Sequence, residues 1–268
     1  MPELPDVEGY RRFWVEHAVG RTVRRAVTTD PAIVRNASPR ALDRALRGRT
    51  FADPVRHGKW LLCWTTDGPC LLIHFGMTGW FLWADSAEER HRHDRVIVEL
   101  EGGGEVRYRN MRKLGGVWLA HDDAEAAAIT GKLGPDALGV DRRRFRELLA
   151  HRRGGAKAVL MDQMFVAGIG NLLADEILWH ARIHPKRRIE DLSIEQREGL
   201  FEAVRKVVRE SVAAHTDYIP KKRNWLLSVR GEPGAVCPRC GTPLARTVAA
   251  GRTTWFCPQC QPEPEAGA

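Results

Sequence analysis

The chain opens Met1-Pro2-Glu3-Leu4-Pro5-Asp6-Val7-Glu8, and removal of Met1 would leave a secondary amine one residue from a carboxylate. An α-amino group has an ordinary pKa of about 8 against about 10.4 for lysine, so far more of it is unprotonated and nucleophilic at neutral pH. A neighbouring carboxylate can carry protons to and from whatever the amine attacks. This is the chemistry of a covalent catalyst. It makes Pro2 and Glu3 candidate catalytic residues and sets the start of the active protein at Pro2. Taken alone, the same residues also suit a proline that favours Met1 removal and a solvated charge near a helix start.

The opposite end carries Cys237-Pro-Arg-Cys240 and Cys257-Pro-Gln-Cys260, the spacing of a zinc ribbon. Each Cys-x-x-Cys forms a knuckle that turns two thiolates inward, and two knuckles on facing strand ends complete a tetrahedral site for one Zn2+. Four thiolates leave no open position for water, so the metal is structural. A two-stranded hairpin is marginal alone, and the ion would supply its stability. A disulfide pair is the weaker reading for an intracellular chain. Cys63 and Cys70 lie in apolar strand-like runs and read as core.

Three further segments could touch a polyanion. Gly168-Ile169-Gly170-Asn171 is a tight turn feeding a helix, where backbone N–H groups attract phosphate; it follows Lys157 and precedes the basic run Arg182 to Arg188. His74-Phe-Gly-Met-Thr-Gly79 leaves Met77 on a glycine-freed loop, where an apolar side chain can wedge into a base stack, although a core methionine looks the same in sequence. Arg112-Lys113-Leu114 offers cations and a second apolar wedge, with surface charge beside a core leucine as the competing reading.

The elements that must position these groups follow from periodicity. Val7, Tyr10, Trp14, Val15 and Ala18 recur at helical spacing over residues 5–19 and Gly20 ends them. Ser38-Pro39 opens a short helix that Gly48 closes. Thr22 to Thr29, Trp60 to Trp64, Cys70 to Phe75, Arg95 to Leu100, Glu105 to Arg109 and Gly116 to Leu119 read as strands of a sandwich or barrel. From about Ala124 the chain turns Ala-rich, passes a linker at Gly131 to Asp136, and becomes helical. Asp141 caps a helix through Ala150, and Ser193-Ile-Glu-Gln196 is a capping box before a core stripe ending at Val212. The expected class is α+β, with an N-terminal β-sandwich over 1–124, a linker over 125–140, a helical domain over 141–230, a zinc-bearing β-hairpin over 231–262 and a tail over 263–268. The 268 residues contain 42 Lys and Arg against 34 Asp and Glu, for a net charge of +8 and a pI of about 9.5. That balance suits a nucleic-acid partner. With no signal peptide and no apolar run of membrane-spanning length, the expectation is a soluble, intracellular protein.

In order and spacing these pieces resemble the formamidopyrimidine-DNA glycosylase and endonuclease VIII family of base-excision repair enzymes. Pro2 to Glu8 is similar to its N-terminal motif in the formamidopyrimidine form, and Gly58-Lys59 to its strand lysine. His74 to Gly79 is similar to its intercalation loop, Leu133 to Leu138 to its interdomain segment, Asp162 to Pro185 to its helix-two-turns-helix, and Cys237 to Cys260 with Gly251-Arg252 to its zinc hairpin. The resemblance implies a glycosylase with abasic-site lyase activity on oxidised bases, 8-oxoguanine or formamidopyrimidines, in double-stranded DNA. It implies catalytic roles for Pro2, Glu3, Lys59 and Arg252, the last better read as a phosphate clamp than as an acid because arginine keeps its proton. It implies DNA contacts at Met77, His93, Arg112, Lys113, Leu114, Arg153, Lys157 and Asn171, zinc on Cys237, Cys240, Cys257 and Cys260, no membrane partner, a monomer, and a place in the cytoplasm on the nucleoid.

Position 6 is Asp where the family has Glu, and Asn110-Met-Arg-Lys-Leu114 stands where Asp-Pro-Arg-Arg-Phe is usual, so an aromatic wedge is lost. Ala213 to Arg230 departs from the loop that covers oxidised guanine, which leaves preference for oxidised pyrimidines as an alternative. Trp225 there reads as a base-stacking residue or as a surface or core tryptophan. Two other readings are a lesion-binding protein without turnover and a zinc ribbon on an unrelated β-domain; the N-terminal amine and acid argue against both.

Overall fold

The computed structural model describes residues 2–85, 87–214 and 224–263. The chain divides into two compact units, one of residues 1–2 and 6–132, the other of residues 3–5 and 133–268. Met1, residues 215–223 of the segment set against the guanine-covering loop, and the tail after Glu263 lie outside the described residues.

In the first unit, α1 (Leu4–His17), most of which belongs here, is followed by β1 (Val23–Thr28), α2 (Pro39–Leu46), β2 (Val55–His57), β3 (Trp60–Trp64), β4 (Cys70–His74), β5 (Gly79–Ala84), β6 (Asp94–Leu100), β7 (Glu105–Asn110), β8 (Gly116–Ala120) and α3 (Asp123–Thr130). The strands form two antiparallel four-stranded sheets, ordered β1-β6-β7-β5 and β2-β3-β4-β8. Alternate residues supply one core: Leu61 and Cys63, Leu71 and Ile73, Val117 and Leu119 from one sheet, and Val96, Val98, Val106 and Tyr108 from the other, joined by Val7 and Trp14 of α1. The period of two is that of a sandwich. β4 breaks the alternation because its outer face is covered too, Cys70 and Leu72 packing with Ala126 of α3. A strand buried on both faces reads as an unbroken apolar run. Ser38 caps α2 by accepting from the Ala41 N–H at 3.1 Å, and Asp122 caps α3, a helix within the stretch that had read as the approach to a linker.

The second unit holds α4 (Arg142–Ala150), α5 (Ala156–Met161), α6 (Asn171–Ala181), α7 (Ile194–Ala213) and the hairpin β9 (Ala245–Ala249) and β10 (Arg252–Phe256). α6 is its axis, buried at every position from Leu173 to Trp179. α5 and α7 pack on α6 in a core that includes Phe145, Phe165, Ile177, Val204 and Trp225. Asp141 caps α4, and both bonds of the Ser193–Gln196 capping box are made at α7. Trp225 is 1% exposed, so it is the core residue of the alternatives above. Cys63 and Cys70 are likewise core.

Candidate active site and DNA-binding residues

Glu3 is fully buried, and its carboxylate sits on the N-terminus of α6. The N–H groups of Gly170 and Leu173 donate to its Oε2 at 2.9 and 3.1 Å, and that of Leu172 donates to Oε1 at 2.8 Å. These are the donors a helix start leaves without an intrahelical partner, and the helix dipole adds attraction for an anion. Gly168-Ile-Gly-Asn171 is therefore an anion nest, but its anion is the protein's own: Glu3 fills the place expected for a DNA phosphate. Both glycines are required. A Cβ on Gly170 would lie 2.3 Å from Cδ of Glu3, and one on Gly168, whose φ is +112°, would lie 2.6 Å from Leu4. The Leu4 N–H donates to the Gly168 carbonyl at 3.0 Å, so the peptide that follows Pro2 is pinned on both sides.

At the far end of the chain the four cysteine sulfurs lie within 4.8 Å of one another. Separations of 3.9 Å for Cys237 and Cys260, and 3.5 Å for Cys240 with Cys257 and with Cys260, match the edge of about 3.8 Å that a tetrahedron of Zn–S bonds of about 2.3 Å requires. They exceed a disulfide bond of about 2.05 Å. The donor set fits one structural Zn2+, and the Trp179 indole N–H donates to Sγ of Cys237 at 3.3 Å. Ala250 and Gly251, at φ 52° and 66°, make the two-residue turn that starts β10 at Arg252; positive φ at both centres is the hairpin turn that follows strand twist. Arg252 is thereby exposed at the hairpin tip.

Lys157, expected on a phosphate, is fully buried instead. Its Nζ donates to Oδ1 of Asp175 and Oγ1 of Thr254, each at 2.6 Å. Burial pulls it below the ordinary lysine range against the opposing pull of Asp175. A buried cation stays charged only with such a partner, and its ammonium is committed inside the protein. Asn171 is half-buried and donates Nδ2 to the Thr253 carbonyl at 3.4 Å. Arg153 is exposed.

In the first unit, Lys59 follows Gly58 (φ 58°) in the two-residue turn between His57 and Trp60, so glycine at the first centre carries the lysine on the hairpin tip. His74 pairs with Trp60 across β3 and β4. Burial, and then Lys59, push the His74 imidazole down to about 4, and its Nδ1 accepts from the Gly76 N–H at 3.2 Å. Two loops meet where Gly76 and Gly115 approach, a Cβ on the former falling 2.3 Å from the latter's nitrogen. Met77 is half-buried on one loop; Arg112 and Lys113 are exposed on the other, with Leu114 56% exposed. Buried Asn110 holds them: Oδ1 accepts from Thr78 Oγ1 at 3.1 Å and from the Lys113 N–H at 2.9 Å, while Nδ2 donates to the Tyr108 hydroxyl at 2.7 Å. The Lys113 ammonium, 2.9 Å from Asp30, holds that carboxyl below the usual carboxylate range. His93 lies half-buried beside Arg95, with its Nδ1 2.9 Å from the guanidinium.

Sequence reasoning missed Asn110 as the loop tie and Asp175 as the partner of Lys157. The signal for Asp175 was present: Leu172 to Trp179 is apolar apart from Asp175 and Glu176, and an acid buried in such a helix needs a partner. Met111, 51% exposed beside Leu114, was also passed over.

Family models match along the chain: the formamidopyrimidine-DNA glycosylase N-terminal domain over residues 1–117, its helix-two-turns-helix (H2TH) domain over 133–222, and the zinc finger found in FPG and IleRS over 234–262. The formamidopyrimidine-DNA glycosylase of Herpetosiphon aurantiacus is 36% identical over 97% of this chain and 100% of its own length. That of Symbiobacterium thermophilum is 36% identical over 100% and 92%. Among solved structures, the Lactococcus lactis enzyme non-covalently bound to DNA containing an abasic site superposes with a TM-score of 0.89 at 31% identity, covering 97% of this chain and all of that one. A sandwich of two antiparallel sheets, a helical unit whose axis anchors the N-terminal acid and a four-cysteine hairpin define a base-excision repair protein of the glycosylase and abasic-site lyase class. The chain belongs to the formamidopyrimidine-DNA glycosylase family.

Proposed function

We propose that this chain excises oxidised purines, 8-oxoguanine or formamidopyrimidines, from duplex DNA and then cleaves the strand, with Pro2 as nucleophile once Met1 is removed. The Pro2 nitrogen attacks sugar C1′, the bond from C1′ to the base breaks, and the base departs with a proton. Opening of the sugar ring protonates O4′ and leaves a cationic Schiff base. That iminium draws electrons: loss of the C2′ proton expels the 3′ phosphate, loss of the C4′ proton expels the 5′ phosphate, and water releases the sugar remnant. Glu3 moves protons at the sugar, Lys59 supplies them at elimination, and the permanently charged Arg252 clamps the phosphate. Cys237, Cys240, Cys257 and Cys260 would hold one Zn2+, and the bound ion would keep the Arg252 hairpin in shape. Met77, Arg112 and Leu114 occupy the space left in the helix by the extruded nucleotide. His93, Lys113, Arg153 and Asn171 are assigned to the DNA backbone, and the enzyme acts as a monomer on the cytoplasmic nucleoid.

The observation that carries this reading is the seat of Glu3: three backbone donors and a glycine without room for a Cβ fix the acid one peptide bond from Pro2. Capping α6 would serve a lesion binder equally, but a binder has no use for a secondary amine beside that acid. The test is a panel of duplexes carrying 8-oxoguanine, a formamidopyrimidine or an oxidised pyrimidine, with released base and strand ends measured for Met1-free protein. Faster release of the oxidised purines supports the reading. Faster release of pyrimidines transfers the chain to the alternative preference, and binding without release leaves a non-catalytic lesion binder.

A further inference from the structure

Strand β10 carries Arg252, and its backbone is held from α5 and α6 by side chains. Asp175 on α6 is fully buried. Its Oδ1 accepts from Lys157 Nζ at 2.6 Å, and its Oδ2 accepts from Arg230 Nε at 2.8 Å and from the Trp255 N–H at 3.3 Å. Lys157 passes the contact on to Thr254 Oγ1 at 2.6 Å, and that hydroxyl donates to the Arg252 carbonyl at 3.0 Å. Arg230 also donates to the Thr253 carbonyl at 3.0 Å. Four consecutive residues, 252 to 255, are thus tied to one carboxylate. A two-stranded hairpin lacks a third strand to fix its direction, and here a buried ion network takes that place. The same helix seats Glu3 at its N-terminus, one turn before Asp175.

We propose that Asp175, acting through Lys157 and Thr254, is a positioning residue that sets Arg252 relative to Glu3 on the common frame of α6. Lys157 serves in this relay and not as a phosphate ligand. The inference rests on the reading of Arg252 as the phosphate clamp. Asp175→Asn keeps the shape but puts an amide N–H2 against a cation on one side, so the ties to β10 loosen. Displacement of a catalytic group by about 1 Å costs on the order of 100-fold in rate.

The test is a double-mutant cycle on elimination at an abasic duplex, with Asp175→Asn placed in the parent and in Arg252→Ala. The expected result is a loss of about 100-fold in the parent, with one zinc per chain and Schiff-base trapping within a few-fold of the parent, and little further loss in Arg252→Ala, because the two residues act as a unit. An equal loss in both backgrounds overturns the inference, since a general weakening of the fold would add to the Arg252 defect. If Asp175→Asn does not fold, Thr254→Val in the same cycle breaks the relay with Asp175 intact, and the same two outcomes decide. Undiminished elimination by Arg252→Ala alone refutes the clamp reading itself, a result distinct from additivity.

Discussion

Gly170→Ala isolates the seat of Glu3 from everything else. Gly170 has φ −123°, open to alanine, so the added methyl strains no backbone. The three atoms nearest to it all belong to Glu3, whose Cδ and Oε1 would lie 2.3 and 2.4 Å away. Carbon atoms in contact stand at about 3.5–4.0 Å, so the carboxylate must retreat by about 1 Å or more. Hydrogen bonds now at 2.8 to 3.1 Å would stretch beyond about 3.6 Å, where they no longer count as bonds. Each such bond to a charged group is worth about 1.5–3 kcal/mol, while replacing a capping glycine by alanine costs helix stability about 1 kcal/mol. The expected outcome is a folded protein whose base-release rate, followed in single turnover on a lesion duplex, drops by about 100-fold. Gly199→Ala is the control: a Cβ there meets nothing within 4 Å, so activity should hold. Release by Gly170→Ala within threefold of the parent would refute the view that Glu3 must be held on α6.

Other perturbations give separate readouts. Asn110→Ala removes the acceptor for Thr78 Oγ1 and the Lys113 N–H and the donor to the Tyr108 hydroxyl, and should lower unfolding free energy in urea by about 3 kcal/mol, about 1 kcal/mol for each lost hydrogen bond; an unchanged midpoint would show that the loop tie is dispensable. His74, held down to about 4 by burial and Lys59, binds a proton less readily folded than unfolded. Its cost to stability is therefore absent above its ordinary pKa of 6.5, grows as pH falls toward 4, and reaches about 3 kcal/mol at the bottom of that window; His74→Gln should flatten this part of the stability–pH curve, and an unaltered slope would count against it. Stripping zinc with a chelator should abolish strand cleavage, and one equivalent of Zn2+ should restore it; cleavage by protein shown to be zinc-free would contradict a structural metal.

What the sequence makes legible is what is local. Strand β3 runs from Trp60 to Trp64 and α4 from Asp141's cap to Ala150 as periodicity and capping imply, because both signals lie inside the element. β5 escapes notice because Gly79-Trp-Phe-Leu-Trp-Ala84 has no alternation and starts on a glycine that reads as loop. The nest at Gly168 to Asn171 is visible as unpaired donors, but the anion that fills it comes from 167 residues away, and chain pattern carries no information about that contact. The partner of Lys157 is hidden for the same reason: the buried carboxylate that holds it lies 18 residues on. The zinc site is legible because the metal imposes its own spacing on the cysteines.

The most direct measurement is borohydride trapping of Met1-free protein on an abasic duplex, followed by peptide mass mapping of the adduct. A catalytic Pro2 requires the reduced crosslink on the N-terminal peptide, at the proline nitrogen. A crosslink on a lysine peptide, or efficient cleavage with the proline nitrogen acetylated, would contradict it.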